Sequence, residues 1–245
     1  MEEKTMRDML HLTFGEEVSN AISHGVMALA CLCLLPFSAV YSYIIGGVTR
    51  AIGVSIFVIC LFLMFLISTI YHSMAYETQQ KYVFRKLDHI CIYLAIAGSY
   101  TPIALCVVKG WLGILILVLE WGAVIAGILL KSISEKSYPI LSTTIYLVMG
   151  WTAVFFIPAL WHHASLLFLA LIVAGGVMYS AGVFFYSKHK KYFHFVWHLF
   201  INVASILHFI AIVFLCKNSR DSSAIFLHPD SMYLEFFLQC FILIA

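Results

Sequence analysis

The sequence predicts an all-α polytopic membrane protein, a bundle of seven transmembrane helices with a cytoplasmic N-terminus. Its composition is the first reason: of 245 residues, 63% are hydrophobic and 11% are charged, whereas a soluble domain carries about 25% charged residues. The second reason is that apolar segments close to the ~20 residues needed to cross a bilayer recur along the chain. We therefore expect an integral, multi-pass protein of the cell membrane that is in contact with membrane lipids.

The first 20 residues are expected to form a cytoplasmic, mildly amphipathic segment, 1–20. This segment is charged and lacks the basic start, apolar stretch and small-residue cleavage site of a signal peptide. The membrane domain is predicted over residues 21–216. Its seven spans are expected at about 22–45, 51–71, 89–108, 111–130, 138–160, 164–186 and 193–216.

The basic residues of the loops indicate the orientation of the bundle. With the N-terminus inside, ten of the 14 Lys and Arg residues lie on the inner side and four on the outer side. The inner ten are Lys4, Arg7, Lys81, Arg85, Lys86, Lys131, Lys136, Lys188, Lys190 and Lys191. Because cytoplasmic loops of membrane proteins carry an excess of Lys and Arg, a cytoplasmic N-terminus and an outer C-terminus are predicted. That arrangement requires an odd number of spans, which seven satisfies.

The C-terminal tail, residues 217–245, departs from the pattern of spans. A polar stretch at 217–223 interrupts the apolar sequence, and the apolar residues 232–245 are too few to cross a bilayer comfortably. Glu235 and Gln239, four residues apart, would form one polar stripe on a helix. An interfacial helix is therefore expected rather than an eighth span.

The composition disfavours two function classes. The net charge is only +2, and the basic residues lie in short loops rather than in a patch, so no nucleic-acid partner is expected. The seven cysteines lie almost wholly in apolar segments and form no Cys-x-x-Cys motif. We therefore expect them to be unpaired packing residues.

A pair of histidines opens the last predicted span. His194 and His198 are four residues apart, which on a helix places both imidazoles on one face, about 6 Å apart along the axis. They are close enough to share one metal ion. Ionisable residues within a membrane are costly and usually functional, so the pair is a candidate metal site if other spans bring further ligands to the same depth.

Two other spans carry polar residues at the same level of the inner leaflet. Span 2 ends with Ser68 and His72, and span 3 begins near Asp88. Imidazole suits zinc, and catalytic zinc sites have three protein ligands and one position for water. Asp88 could hold that water or orient a ligand. Each of these residues could instead cap a helix or lie at the membrane interface; their joint placement favours the metal site.

Four stretches of the sequence match a known family in order and spacing: Glu16-Glu-Val-Ser-Asn-Ala-Ile-Ser-His24-Gly; Ser68-Thr-Ile-Tyr-His72; Lys86-Leu-Asp88 with Gly98-Ser-Tyr-Thr-Pro102; and His194-Phe-Val-Trp-His198 with His208-Phe. They resemble the haemolysin III family, within the progestin and adiponectin receptor superfamily. The resemblance covers residues 16 to about 215. It implies a seven-helix bundle with a cytoplasmic N-terminus. It also implies zinc bound by His72, His194 and His198, with Asp88 beside the bound water and Ser68 lining the site.

Four further polar residues have less specific expectations. His24 could be packed, capping or functional. His89 is expected at the membrane interface, since it points about 100° away from Asp88 on a helix. His208 lies about 15 Å deeper than His198, so we expect it to hydrogen-bond a neighbouring helix. Glu120 is expected to be protonated or paired inside the bundle, because an ionised carboxylate facing lipid is costly.

Three functions remain open at this level. A zinc site in the inner leaflet could hydrolyse a lipid-like amide such as a ceramide, with Asp88 and Ser68 as catalytic residues; the amide substrate class is implied by the resemblance. The protein could instead form a pore or maintain the membrane, as the family's haemolytic name implies, although the spans offer few charged residues to line one. It could also be receptor-like, with a zinc ion that only holds spans 2, 3 and 7 together.

Overall fold

The computed structural model describes residues 11–133, 138–188 and 190–216, and these residues form helices and no strands. The α-helices are α1 (Phe14–Ser73), α2 (Gln79–Pro102), α3 (Gly110–Ile133), α4 (Pro139–Trp151), α5 (Ile157–His163), α6 (Leu166–Tyr186) and α7 (Phe193–Ile210). Short π-helical turns, Ile103–Val108 and Ala211–Leu215, extend α2 and α7, and a 3-10 turn, Thr152–Phe156, joins α4 to α5.

Six helical segments of the described chain are long and apolar enough to cross a membrane. They are Phe14–Ser73, Gln79–Val108, Gly110–Ile133, Pro139–Trp161, Leu166–Tyr186 and Phe193–Leu215. The predicted class, an all-helical multi-pass membrane protein, is therefore confirmed. The C-terminal tail, 217–245, lies outside the described residues, and its interfacial helix stays a prediction.

Helix α1 contains 60 residues and folds back on itself at Gly47. Gly47 has φ 71° and ψ −166°, a region of backbone conformation that is open almost only to glycine. Contacts between the two halves, 14–46 and 48–73, show that they run antiparallel: Glu17 meets His72, and Gly25 lies against Thr69. The halves contain the predicted spans 22–45 and 51–71. The count of seven spans and the cytoplasmic N-terminus stay predictions.

Two helices begin earlier than their predicted spans. Helix α1 begins at Phe14 rather than near 22, because Thr13 and Glu16 form a capping box in which Glu16 Oε2 accepts from the Thr13 N–H at 2.9 Å. Helix α2 begins at Gln79 rather than near 89, because the Thr78 hydroxyl caps the N–H of Lys81 at 3.2 Å. Hydropathy locates the apolar part of a helix, whereas capping residues decide where the helix begins. The separate segment 1–20 stays a prediction: its first ten residues are outside the described part, and 14–20 belong to α1.

Close helix packing holds the functional elements in place. On α2, Gly98 approaches the second half of α1 so closely that an added Cβ would lie 2.7 Å from Cys60 Cβ. On α6, an added Cβ at Gly182 would lie 2.8 Å from the Trp197 ring of α7. Small residues permit such approach between membrane helices. The main apolar core, which includes Phe57, lies between α1, α2 and α7.

The six cysteines in the described part of the chain are free. Cys31, Cys60, Cys91, Cys106 and Cys216 are buried, and Cys33 is exposed. The expectation of packing residues is confirmed for the five buried positions, whereas Cys33 is unpaired but exposed.

A candidate metal centre at the end of an apolar cavity

Three histidines from α1 and α7 meet at one end of the bundle, the end at which both helices carry their polar residues. His72 lies in the last turn of α1, and His194 and His198 lie in the first turns of α7. One ring nitrogen from each lies within 4.8 Å of the other two. The ring centroids of His72 and His198 are 5.0 Å apart, well inside the ~8 Å beyond which no zinc ion could be shared at Zn–N distances of about 2.0–2.1 Å.

The start of α7 is held against the start of α1. Tyr192 precedes α7 with φ 61° and ψ 3°, and its N–H donates to Glu16 Oε1 at 2.7 Å. One free N–H of the helix terminus thereby obtains a charged acceptor. Because His194 follows two residues later, this contact sets the position of the first α7 histidine relative to α1.

The donor set fits a metal ion that prefers imidazole. His72 Nδ1 lies 2.5 Å from Glu17 Oε2, whereas His72 Nε2 is buried and has no hydrogen-bond partner. A buried polar atom without a partner is costly, and a coordinated metal ion would provide that partner. Nitrogens bound to one tetrahedral zinc ion lie about 3.3 Å apart, so small ring shifts would complete a site. The arrangement does not by itself identify the ion.

Asp88 and Ser68 lie beside the histidines and line the same cavity. Ser68 is one turn before His72 on α1, and its side chain hydrogen-bonds the Asp88 carboxylate of α2. Spans 2, 3 and 7 of the sequence prediction are therefore neighbours at this end. The catalytic roles assigned to Asp88 and Ser68 stay predictions.

The site opens into a cavity of about 820 Å³, within the usual range of ligand pockets, about 300–1,000 Å³. Its histidine end is lined by His24, His72, Asp88, His194 and His198. The remaining walls are mainly apolar and come from α2, α4 and α6, and they include Ile92, Ile96, Leu147, Ile172, Val173 and Val183. Arg85, Lys188 and Lys190 also line it. The shape and chemistry match a molecule with a polar group and a long apolar part.

His24 is buried and His89 is half-buried, and both line this cavity. The His24 ring stacks on His198 with centroids 3.7 Å apart, and neither of its nitrogens has a partner. His89 lines the cavity with a buried Nδ1, and its carbonyl accepts from the Tyr146 hydroxyl of α4 at 2.9 Å. The expectation that His89 lies at the membrane interface stays a prediction; the structure adds that α4 covers this turn of α2.

His208 and Glu120 behave as expected. His208 Nε2 lies 3.1 Å from the carbonyl oxygen of Ile172 on α6, which confirms the predicted bond to a neighbouring helix. Glu120 is 2% exposed inside the bundle and hydrogen-bonds Thr152.

Glu17 and Lys81 are site residues that the sequence analysis missed. Glu17 contacts His72 directly, and Lys81 contacts Glu17 at 2.7 Å. A signal was present: Glu17, Asn20 and His24 are spaced i, i+3 and i+7, which places them on one face of a helix. Nothing comparable marks Lys81, since a lysine next to a polar loop normally faces solvent.

Comparisons with known proteins agree with the geometry. The model of the family described as Haemolysin-III related matches residues 12–209. The Hemolysin-3 homolog of Bacillus subtilis (strain 168) is 35% identical over 205 residues, which cover 83% of this chain and 96% of the relative. The Hemolysin-3 of Bacillus cereus is 34% identical over 200 residues, with coverage of 81% and 91%. The heptahelical transmembrane protein ADIPOR2 of Oryza sativa subsp. japonica is 28% identical over 183 residues, with coverage of 64% and 79%. The chain therefore belongs to the haemolysin-III related family of multi-pass membrane proteins, within the progestin and adiponectin receptor superfamily.

Proposed function

We propose that this protein is a zinc-dependent membrane hydrolase that acts on lipid-like amides at the inner leaflet. One observation carries the proposal: three histidines that could ligate one metal ion lie at the polar end of a large apolar cavity, with a carboxylate beside them. A site that only held helices together would not need a cavity of about 820 Å³ around it.

The residues of the chain have distinct roles in this reaction. His72, His194 and His198 would hold the ion, which would act as a Lewis acid and lower the pKa of a bound water. The cavity walls bind the apolar part of the substrate and exclude bulk water. Asp88 takes the proton of the attacking water and delivers it to the leaving nitrogen as the amide C–N bond breaks. Ser68 orients Asp88 through its hydrogen bond. The products are a carboxylate and an amine.

The test combines metal content with lipid turnover. Full-length protein purified in detergent is expected to contain about one zinc per chain, and His198→Ala is expected to contain none, since the two remaining imidazoles are too few for the usual site. Wild-type protein in liposomes that contain an amide-linked lipid is expected to release fatty acid. Asp88→Asn is expected to keep its zinc and lose this activity. Zinc without any lipid turnover would support the receptor-like alternative, and absence of zinc would refute the metal centre.

A second candidate function comes from the relatives named Hemolysin-3. Membrane lysis by a pore would release an encapsulated dye from liposomes, and the release would not depend on Asp88. Dye release from protein-loaded liposomes, equal in wild type and Asp88→Asn, would favour that function over hydrolysis. We favour hydrolysis because the cavity is lined mainly by apolar side chains, which suit an acyl chain better than an ion path.

A further inference from the structure

We propose that Glu17 and Lys81 form an outer pair that positions His72 and sets its ring tautomer for metal binding. This inference rests on the proposed metal centre and adds two positioning residues to it. Glu17 comes from the first turn of α1, 55 residues before His72, and Lys81 comes from the first turn of α2.

Both carboxylate oxygens of Glu17 are engaged. Oε2 lies 2.5 Å from His72 Nδ1, and Oε1 accepts from Lys81 Nζ at 2.7 Å. Tyr76, in the loop between α1 and α2, also hydrogen-bonds Glu17. Burial raises the pKa of the Tyr76 phenol above its ordinary value, and its bond to Glu17 acts in the same direction. The hydroxyl therefore stays protonated and remains a donor to the carboxylate.

Lys81 is fully buried, and its ammonium group has acceptors on several sides. Its Nζ donates to Glu17 Oε1, to the Met74 carbonyl at 3.0 Å and to the Tyr71 carbonyl at 3.3 Å. It also lies 4.1 Å from the centroid of the Tyr76 ring, within the range of a cation–π interaction. A buried charge persists only when it is paired and hydrogen-bonded. Lys81 meets both conditions, so it neutralises Glu17 and fixes the direction of its carboxylate.

The pair determines which nitrogen of His72 faces the site. An ionised carboxylate can only accept hydrogen bonds, so Nδ1 of His72 must carry the proton. The lone pair is then on Nε2, which is buried without a hydrogen-bond partner and is free to bind a metal ion. One ring nitrogen of His72 lies within 4.8 Å of a ring nitrogen of His194 and of His198. A carboxylate behind a metal-binding imidazole fixes its orientation and raises its basicity. Loss of such a partner typically lowers metal affinity by about 10–100-fold.

Within the described residues, no carboxylate hydrogen-bonds His194 or His198, the other two histidines of the group. His198 Nδ1 lies 3.4 Å from the Ser23 hydroxyl, and the ring also hydrogen-bonds the Asn20 backbone; both partners are neutral. The adjacent acid, Glu16, bonds Thr13 and the N–H of Tyr192 instead of an imidazole. Glu120 of α3 is a matched control: it is also a buried acid, 2% exposed against 8% for Glu17, but it hydrogen-bonds Thr152 and is not among the residues that line the cavity.

The experiment measures the zinc affinity of metal-stripped, full-length protein by competition with a chromogenic chelator. Glu17→Gln is expected to bind zinc about 10–100-fold more weakly than wild type, whereas Glu120→Gln retains the wild-type affinity. The absorption band of the Co²⁺-loaded protein, which reports ligand geometry, is expected to change in Glu17→Gln and not in Glu120→Gln. A merely structural role would lower the thermal stability of the metal-free protein without moving this band.

A double variant controls for misfolding of the single variant, because Glu17→Gln leaves the Lys81 charge buried and unpaired. Glu17→Gln/Lys81→Met removes both charges together, a change that is often neutral for stability. We expect it to fold and still bind zinc about 10–100-fold more weakly, since no carboxylate is present. Wild-type affinity in Glu17→Gln or in the double variant would overturn the inference and leave the metal centre standing. Absence of zinc from the wild type would overturn the metal centre itself.

Discussion

Glu16→Ala tests whether one side chain joins the start of α1 to the start of α7. The carboxylate accepts from the Thr13 N–H at 2.9 Å, the Thr13 hydroxyl at 2.7 Å and the Tyr192 N–H at 2.7 Å. In Glu16→Ala, the N-termini of α1 and α7 each lose one capping acceptor, and each lost cap costs about 1 kcal/mol. The free energy of unfolding should therefore fall by about 2 kcal/mol. For a chain of this size that corresponds to a Tm about 4–8 °C lower.

The assay is thermal unfolding of the metal-free protein in detergent, followed by tryptophan fluorescence. Thr13→Ala is the matched control, because it removes the α1 cap but leaves the bond between Glu16 and Tyr192. It should lower Tm by about half as much, about 2–4 °C. If Glu16→Ala were no less stable than Thr13→Ala, the contact with Tyr192 would contribute nothing, and the reasoning about how α7 is held would be refuted.

Three further predictions concern packing, the site and the orientation. Gly175→Ala should destabilise the fold by about 1–3 kcal/mol, because the added Cβ would lie 2.3 Å from the His208 ring. Gly176→Ala, whose added Cβ would have its nearest contact at 3.8 Å, should be tolerated. Equal Tm values for the two variants would contradict this prediction. Ser68→Ala should keep one zinc per chain, as measured by elemental analysis, but turn over lipid about tenfold more slowly. That is the order expected for one lost hydrogen bond to a charged group. Loss of zinc from this variant would instead indicate that Ser68 is a metal ligand. A cysteine is introduced at Val83, which is 43% exposed, in a background without reactive native cysteines. It should react with a membrane-impermeant maleimide only after the cells are permeabilised. Labelling of intact cells would contradict the predicted orientation.

The membrane class and the histidine group follow from local patterns. Hydropathy depends on composition over a window of about 20 residues, so it locates the spans without knowledge of their neighbours. The spacing of His194 and His198 is likewise a property of one helix. His72 and Asp88 could be added because the ends of successive spans must lie at the membrane surfaces, which limits the depth of each residue.

The contacts behind the histidines do not follow from such patterns. Nothing in the sequence pairs Glu17 with His72, 55 residues away, or buries Lys81 completely. Hydropathy treats both as polar residues outside the spans, and for the same reason it places the start of α2 too late.

The sequence by itself determined the membrane class and the approximate spans, because each depends on composition or on helical periodicity. Only the tertiary structure decided which polar residues touch: the reversal at Gly47 brings Glu17 to His72, and the packing of α7 against α1 brings His198 to His72. Which helix faces meet depends on the side chains of all the helices together, and no single segment contains that information.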